Sequence, residues 1–357
     1  MRSLRILGAI GTAAATAILA ACGSSGGSGS SQSGSANSDS GVTLVYATPG
    51  PGAYQDAEVN AWVKPFEKMT GVKFVLTVEN DAKLSAMVQA GSVSWNVTDS
   101  DPYFDTQNCG TTVQKISMTG VGGSFTPGSY SSCGAPQLYS AMMLMYNTKT
   151  FKSNPPTTWA DFFNPQKYPG TRVMPDEPYG GFFEAAETAA GVAPSKLYPI
   201  NTAQALGEFN KIKSDSKVTP TGSEEQQLML NNQADLAIVP STRAYSILKA
   251  GGGFWKIAPA PTPNFIGINE FAIPKGAANA NIAEQFVRFA AQPAQQTKMA
   301  ELVGGLLPAN KSAATPKLTG LAAYVYPGKY PSIPVNSKYW AQNDSRLTTL
   351  FETWATS

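Results

Sequence analysis

Histidine is absent from this 357-residue chain. That excludes Ser-His and Cys-His nucleophilic machinery, in which an imidazole takes the proton of the attacking group. Cysteine is scarce: Cys22, Cys109 and Cys133 are all there is, and Cys109 and Cys133 are not spaced as metal ligands. A basic excess is also missing. The 26 Lys+Arg face 24 Asp+Glu, and without Arg2 and Arg5 the two are equal at 24. A near-neutral chain cannot neutralise a phosphate backbone, so nucleic acid is not expected as a partner. Apart from the N-terminus, no apolar run reaches the ~18 residues of a membrane span. Two catalytic patterns occur by chance. Gly23-Ser24-Ser25-Gly26-Gly27 fits G-x-S-x-G and Ser214-Asp215-Ser216-Lys217 fits S-x-x-K, each without its structural context or companion motifs. Acid pairs such as Asp99/Asp101 and Glu224/Glu225 suit a solvated turn or helix start better than glycoside chemistry. No enzyme activity and no cofactor are expected.

What is present starts at the N-terminus. Arg2 and Arg5 precede ILGAIGTAAATAILAA, residues 6–21, which is uncharged and built of small apolar residues. This is the pattern of a secretory signal peptide, expected over residues 1–21. Leu19-Ala20-Ala21-Cys22 looks like the lipobox of bacterial lipoproteins, with Cys22 the acylated residue; the alternative is an ordinary cleavage site beside a chance cysteine. Residues 23–41 are Gly/Ser-rich and have no large apolar side chain, so 22–41 reads as a lipidated cysteine plus flexible tether. The expected place is the outer face of the cytoplasmic membrane. In an exported chain the remaining pair, Cys109 and Cys133, is expected to form a disulfide, with two buried free thiols as the alternative.

From residue 42 onward strands and helices alternate. Val42–Ala47, Val72–Val78, Tyr139–Tyr146, Arg172–Met174, Asp235–Val239 and Phe271–Ile273 read as strands. Val59, Trp62, Val63 and Phe66 mark one helix face, and Gly71 stops that helix. Further helices are expected over Lys83–Ala90, Gly181–Ala190, Thr202–Ser214, Asn281–Ala290 and Ser345–Trp354. Thr158-Trp-Ala-Asp161 and Ser223-Glu-Glu-Gln226 have capping-box spacing. The order implies an α/β fold with parallel strands.

Several stretches, in order, resemble the periplasmic-type substrate-binding proteins of ABC transporters, specifically the spermidine/putrescine-binding branch. They are Gly52-Ala-Tyr-Gln-Asp56, Pro65-Phe-Glu-Lys-Met-Thr-Gly71, Thr158-Trp-Ala-Asp-Phe-Phe163, Tyr168-Pro-Gly170, Gly191-Val-Ala-Pro194, Lys196-Leu-Tyr-Pro199, Ile273-Pro-Lys-Gly-Ala277 and Phe286-Val-Arg-Phe-Ala290. The resemblance implies a type II two-lobed α/β fold with two hinge strands and a ligand cleft between the lobes. Lobe 1 is expected over 42–145 plus 272–357 and lobe 2 over 146–271, with hinges near Leu144–Asn147 and Asn269–Pro274. It further implies a monomer that hands a small solute to ABC permease subunits. Many relatives carry a cysteine pair where Cys109 and Cys133 fall.

In open α/β sheets ligands gather beyond the carboxyl ends of strands. That rule picks Ala53, Tyr54 and Gln55 after the first strand, Asp99, Ser100, Asp101 and Tyr103 after another, Asp176 after Arg172–Met174, and Arg243 after Asp235–Val239. Ser223 stands at an expected helix N-terminus, where free N–H groups suit an anion or carbonyl. Tyr139 joins Tyr54 and Tyr103 as a possible stacking face. In the relatives an Asn-Gly-Arg stands at Ser241-Thr242-Arg243, and its Arg can grip a carboxylate; the alternative for Arg243 is an interlobe or surface ion pair. Relatives also carry Asp-x-Asp-Tyr-Trp where this chain has Gly267-Ile-Asn-Glu-Phe271, leaving Asn269 and Glu270 as candidates. A polyamine needs acids at both ends of its site, because buried ammonium groups must be paired. With Arg243 kept and those acids gone, the balance tips from a polyamine toward a γ-aminobutyrate-like solute. The competing readings are a ligand-sensing or scaffold lipoprotein without transport, and an iron-binding member of the superfamily; the latter commonly uses a Tyr-Tyr pair, which this chain lacks.

Overall fold

The structure is a computed structural model that describes residues 39–259 and 262–357. The expected signal peptide, Cys22 and the tether up to residue 38 lie outside the described residues. Among the described residues no helix is long and apolar enough to cross a membrane.

Among the described residues eleven strands form one curled sheet. They are β1 (Thr43–Thr48), β2 (Lys73–Val78), β3 (Val97–Ser100), β4 (Gly134–Asn147), β5 (Arg172–Pro175), β6 (Ser216–Thr219), β7 (Leu236–Pro240), β8 (Trp255–Ile257), β9 (Asn264–Ala272), β10 (Leu307–Pro308) and β11 (Ser332–Pro334). The main path runs β2-β1-β3-β9-β4-β7-β5-β6. Each flank is parallel, as expected: β1 pairs with β2 and β3, and β5 with β6 and β7. The centre corrects that expectation, because β9 is antiparallel to β3 and β4, and β4 is antiparallel to β7. These two long strands enter from the neighbouring flank rather than through a crossover helix of their own. Along β4, Gly134–Met142 pairs with β9 on one edge and Met142–Tyr146 pairs with β7 on the other, so the partners change over at Met142. One strand thereby joins the two halves of the molecule.

Each half has its own aromatic core. In the first, Trp62 meets Phe271 at 5.0 Å and Phe66 meets Phe286 at 5.4 Å, both edge-on. In the second, Phe209 lies within 5.7 Å of Phe163, Phe183, Phe351 and Trp354. The C-terminal helix, Ser337–Thr356, therefore packs on the second half through Trp340, Leu347, Phe351 and Trp354, although residues 272–357 were expected with lobe 1. Its apolar stripe needs a matching aromatic face, and Phe183 and Phe209 supply one. It also starts earlier than expected, because the Asn336 side chain accepts the Tyr339 N–H at 3.0 Å and caps the helix there.

Local signals fared unevenly. Gly71 ends the helix Lys64–Thr70 with φ 80°, a left-handed cap that costs a glycine little. Thr158 and Asp161 form the expected capping box, each side chain bonded to the other's N–H at 3.1 Å. The second box shifts: Thr221, not Ser223, caps the helix Gly222–Leu230, accepting the Glu224 N–H at 3.2 Å. Cys109 and Cys133 are bridged, with Cα atoms 5.5 Å apart. Cys109→Ser/Cys133→Ser should lose about 3 kcal/mol in the chain-entropy picture of a loop this long. Denaturant unfolding reads this; an unchanged midpoint would mean the bridge constrains nothing in the unfolded chain.

Candidate functional site

β4 and β9 floor a cleft of about 330 Å³. Pleat alternation points Gly267 and Asn269 of β9 into it, together with Ser140 and Met142 of β4. The walls come from the carboxyl ends of flank strands. Tyr54 follows β1, Glu79 follows β2, Asp101 follows β3, Glu177 and Tyr179 follow β5, and Thr242 and Arg243 follow β7. A side pocket of about 260 Å³ continues from the acidic end, sharing Tyr54, Glu79, Asp101, Glu177 and Asn269 with the cleft and adding Asp81, Asp99, Ser100 and Tyr103.

Arg243 sits in the first turn of the helix Ser241–Lys249, and Nη1 donates to Gln226 Oε1 at 3.0 Å. Gly222 makes room for it: a Cβ there would stand 2.7 Å from Nη2. Behind it Glu225 is fully buried, and burial pushes its carboxyl up to about 8 against the pull of the Arg243 charge. Among the described residues Arg243 is the only Lys or Arg lining either the cleft or the side pocket.

The opposite end is acidic. Burial, followed by the charge of Asp99, pushes the Glu79 carboxyl well up; burial, followed by Glu177, does the same to Asp101. Glu177 is reachable by water yet walled by protein, which is how a group inside a cleft can be both exposed and raised in pKa. Asp99 is 5 % exposed, and its Oδ1 accepts from the Gln137 amide and from Tyr46 Oη at 2.8 Å. Tyr46 Oη also lies 2.7 Å from Glu58 Oε1. A phenol has one proton, so Tyr46 donates to one carboxylate and accepts from the other only if that one is protonated. Asp99 already receives the Gln137 amide, which makes Glu58 the neutral member, and burial raises it further than Asp99, which reaches about 6. Asp99 thus presents a buried negative charge to the side pocket.

Of the sequence-derived candidates, Tyr54, Asp101, Arg243 and Asn269 line the cleft, and Asp99, Ser100 and Tyr103 line the side pocket. Others fall elsewhere. Ala53 is exposed, Gln55 bonds back to Thr48 Oγ1 at 2.6 Å, and Asp176 and Ser223 face solvent. Glu270, one pleat out of phase with Asn269, is buried behind the strand, where Oε1 accepts the Ser131 N–H at 2.7 Å. Tyr139, with Ile266 and Ile268, lines an adjoining cavity of about 800 Å³ that shares Tyr179, Ile268 and Val335 with the cleft. That cavity is larger than the cleft, but among the described residues no charged side chain lines it. Glu79 and Glu177 were missed. The carboxyl-end rule would have found Glu79, directly after β2, and Glu177 stands one residue beyond Asp176.

Residues 61–324 match the family model described as bacterial extracellular solute-binding protein. The chain belongs to that family. It is 26 % identical over 318 residues to the gamma-aminobutyric acid-binding protein of Pseudomonas aeruginosa, covering 85 % of this chain and 88 % of that one. It superposes on the GABA receptor Atu4243 with a TM-score of 0.78 at 26 % identity, covering 88 % of this chain and 97 % of that one. It also superposes on AgtB of A. tumefaciens R10, solved in complex with agropinic acid, with a TM-score of 0.75 at 26 % identity, covering 89 % and 99 %. The fold is accordingly the two-lobed periplasmic-binding-protein fold, with its ligand cleft between the lobes. Solute-binding proteins of this family work outside the cytoplasm, take small molecules and serve ABC permeases; their work is binding rather than catalysis. Tyr103, beyond β3, and Tyr179, beyond β5, approach with ring centroids 4.5 Å apart, which closes the cleft beside its acidic end.

Proposed function

We propose that this protein is the receptor lipoprotein of an ABC importer and captures a short ω-amino acid of the γ-aminobutyrate type. The observation that carries this is the polarity of one cleft: Arg243 at one end, Glu79, Asp101 and Glu177 at the other. A zwitterion neutralises both ends at once, and the guanidinium fork fits both oxygens of its carboxylate. A polyamine would set an ammonium against Arg243. The two GABA-binding relatives agree with this reading.

Capture proceeds by hinge bending. The partner change at Met142 supports a hinge near Ser140–Met142, and the cleft-facing Gly267 and Asn269 support a second on β9. Lobe 1 then holds 42–139 and most of 270–336, lobe 2 holds 143–266, and the C-terminal helix rides with lobe 2. Cys22 anchors the protein by lipid to the outer face of the cytoplasmic membrane, and it acts as a monomer.

Thermal unfolding of the purified protein tests the ligand class. At 100 times its dissociation constant γ-aminobutyrate should stabilise by about 2.7 kcal/mol, while putrescine and spermidine leave the midpoint in place. A rise with the polyamines and none with γ-aminobutyrate would overturn the reading.

A further inference from the structure

The acidic end of the cleft has more carboxyl groups and more room than one ammonium needs. An ammonium held among Glu79, Asp101 and Glu177 fills the end of the main cleft and leaves the side pocket behind it empty. That pocket has its own carboxylates, Asp81 and Asp99. Asp99 is only 5 % exposed, and its Oδ2 accepts no hydrogen bond from the nitrogens and hydroxyls around it. Among the described residues no Lys or Arg lines the pocket to balance these charges. One unpartnered oxygen on a buried carboxylate is costly, and the five carboxyl groups gathered at the pocket have no cation among its lining residues, so the arrangement calls for one that arrives with the solute. Among the described residues no three acidic side chains are placed to hold a metal ion, so an organic cation fits better.

We propose that the side pocket is a guanidinium subsite, and that the preferred solute is an ω-guanidino acid rather than the ω-amino acid of equal chain length. This rests on reading the cleft as a zwitterion site with its carboxylate on Arg243. A guanidinium carries several N–H donors in a planar fork, against three on a compact ammonium. It reaches past Glu79 and Glu177 while still bonding to them, and its leading edge comes to Asp81 and Ser100, with the buried Asp99 charge behind them. Its flat face suits the aromatic side: Tyr103 lines the pocket and packs at a tilt of 48° against Tyr179 of the cleft wall. The burial that pushes Asp81 up to about 6 and Asp99 to about 6 is the cost a delocalised cation removes.

Calorimetric titration with γ-aminobutyrate, 4-guanidinobutyrate and agmatine decides it. The guanidino acid should bind at least 10-fold tighter than γ-aminobutyrate, and agmatine, which lacks the carboxylate, should bind at least 100-fold more weakly than the guanidino acid. Asp99→Asn should erase the guanidino advantage, weakening the guanidino acid by more than it changes γ-aminobutyrate. Because Asp99 also anchors Tyr46 and Gln137, the same comparison is made with Asp81→Asn, whose carboxyl is at the exposed rim and lines the side pocket alone. Equal or weaker binding of the guanidino acid, with γ-aminobutyrate bound, overturns the subsite and leaves the zwitterion reading intact. Binding of neither acid overturns both.

Discussion

Arg243→Ala should weaken γ-aminobutyrate binding by about 100-fold or more, the scale for truncating one partner of a desolvated charge pair. The reasons lie around the guanidinium. Gln226 holds Nη1 at 3.0 Å, so the fork is aimed before the solute arrives. Gly222 lets it lie close to the helix Gly222–Leu230. No other Lys or Arg among the described residues lines the cleft, so nothing takes over its charge. Lysine is a poor substitute, because a point charge cannot bind both carboxylate oxygens in one plane. Removing the arginine also strips Glu225 of the positive charge that opposes its burial. Glu225 then takes up a proton more readily, so the fold should survive. Titration calorimetry on the variant, with its unliganded melting point as control, reads the effect. Retained affinity in a folded variant would remove Arg243 from the ligand site.

Stability should rise as pH falls from about 8 to about 5, by on the order of 5 kcal/mol, opposite to ordinary acid denaturation. Several carboxyls are fully buried without a salt bridge. Burial pushes Asp105 and Glu184 each up to about 7 and Glu225 up to about 8. In the unfolded chain such groups titrate at ~4. The native state therefore binds more protons between those values. Each contribution is fully present below ~4 and is lost as pH rises through the raised value. Glu184 illustrates the cause: Oε1 accepts Trp340 Nε1–H at 2.8 Å and Tyr198 Oη–H at 2.5 Å inside the aromatic core, while Oε2 has no hydrogen-bond partner among the described residues. A proton there removes a buried charge, and each tenfold gain in proton affinity over the unfolded chain adds roughly 1.4 kcal/mol. Denaturant unfolding at pH 5, 6.5 and 8 should show the slope, and Glu184→Gln should flatten it. A midpoint that falls steadily from pH 8 to pH 5 would contradict these assignments.

The legible part of this protein followed from local rules. The flank strands are short apolar runs that end where a helix must start, so β1, β2, β5 and β7 and the loops beyond them could be read within a residue or two. The same rule, applied to strand ends, reached Tyr54, Asp99, Ser100, Asp101 and Arg243. It overreached at Ala53, Gln55 and Asp176, because a loop offers several residues and only packing decides which side chain turns inward. Glu270 failed for a sharper reason. The pleat has a period of two, so one residue separates a cleft wall from a buried anchor. Asn269 took the first place, and Glu270, facing Ser131, took the second.

The chain order alone determined an α/β protein, a solute-binding resemblance and an arginine at the carboxyl end of a strand. Each of these is a property of a short window or of composition, which folding does not alter. Only the tertiary structure decided that Glu79 and Glu177, far apart along the chain, meet at one end of the cleft opposite Arg243. It also decided that the C-terminal helix packs on the second aromatic core, and that Asp99 is ionised beside a neutral Glu58. These are long-range outcomes. They depend on which apolar faces find partners and on how burial divides protons among neighbouring acids, and neither is written in any single stretch of the chain.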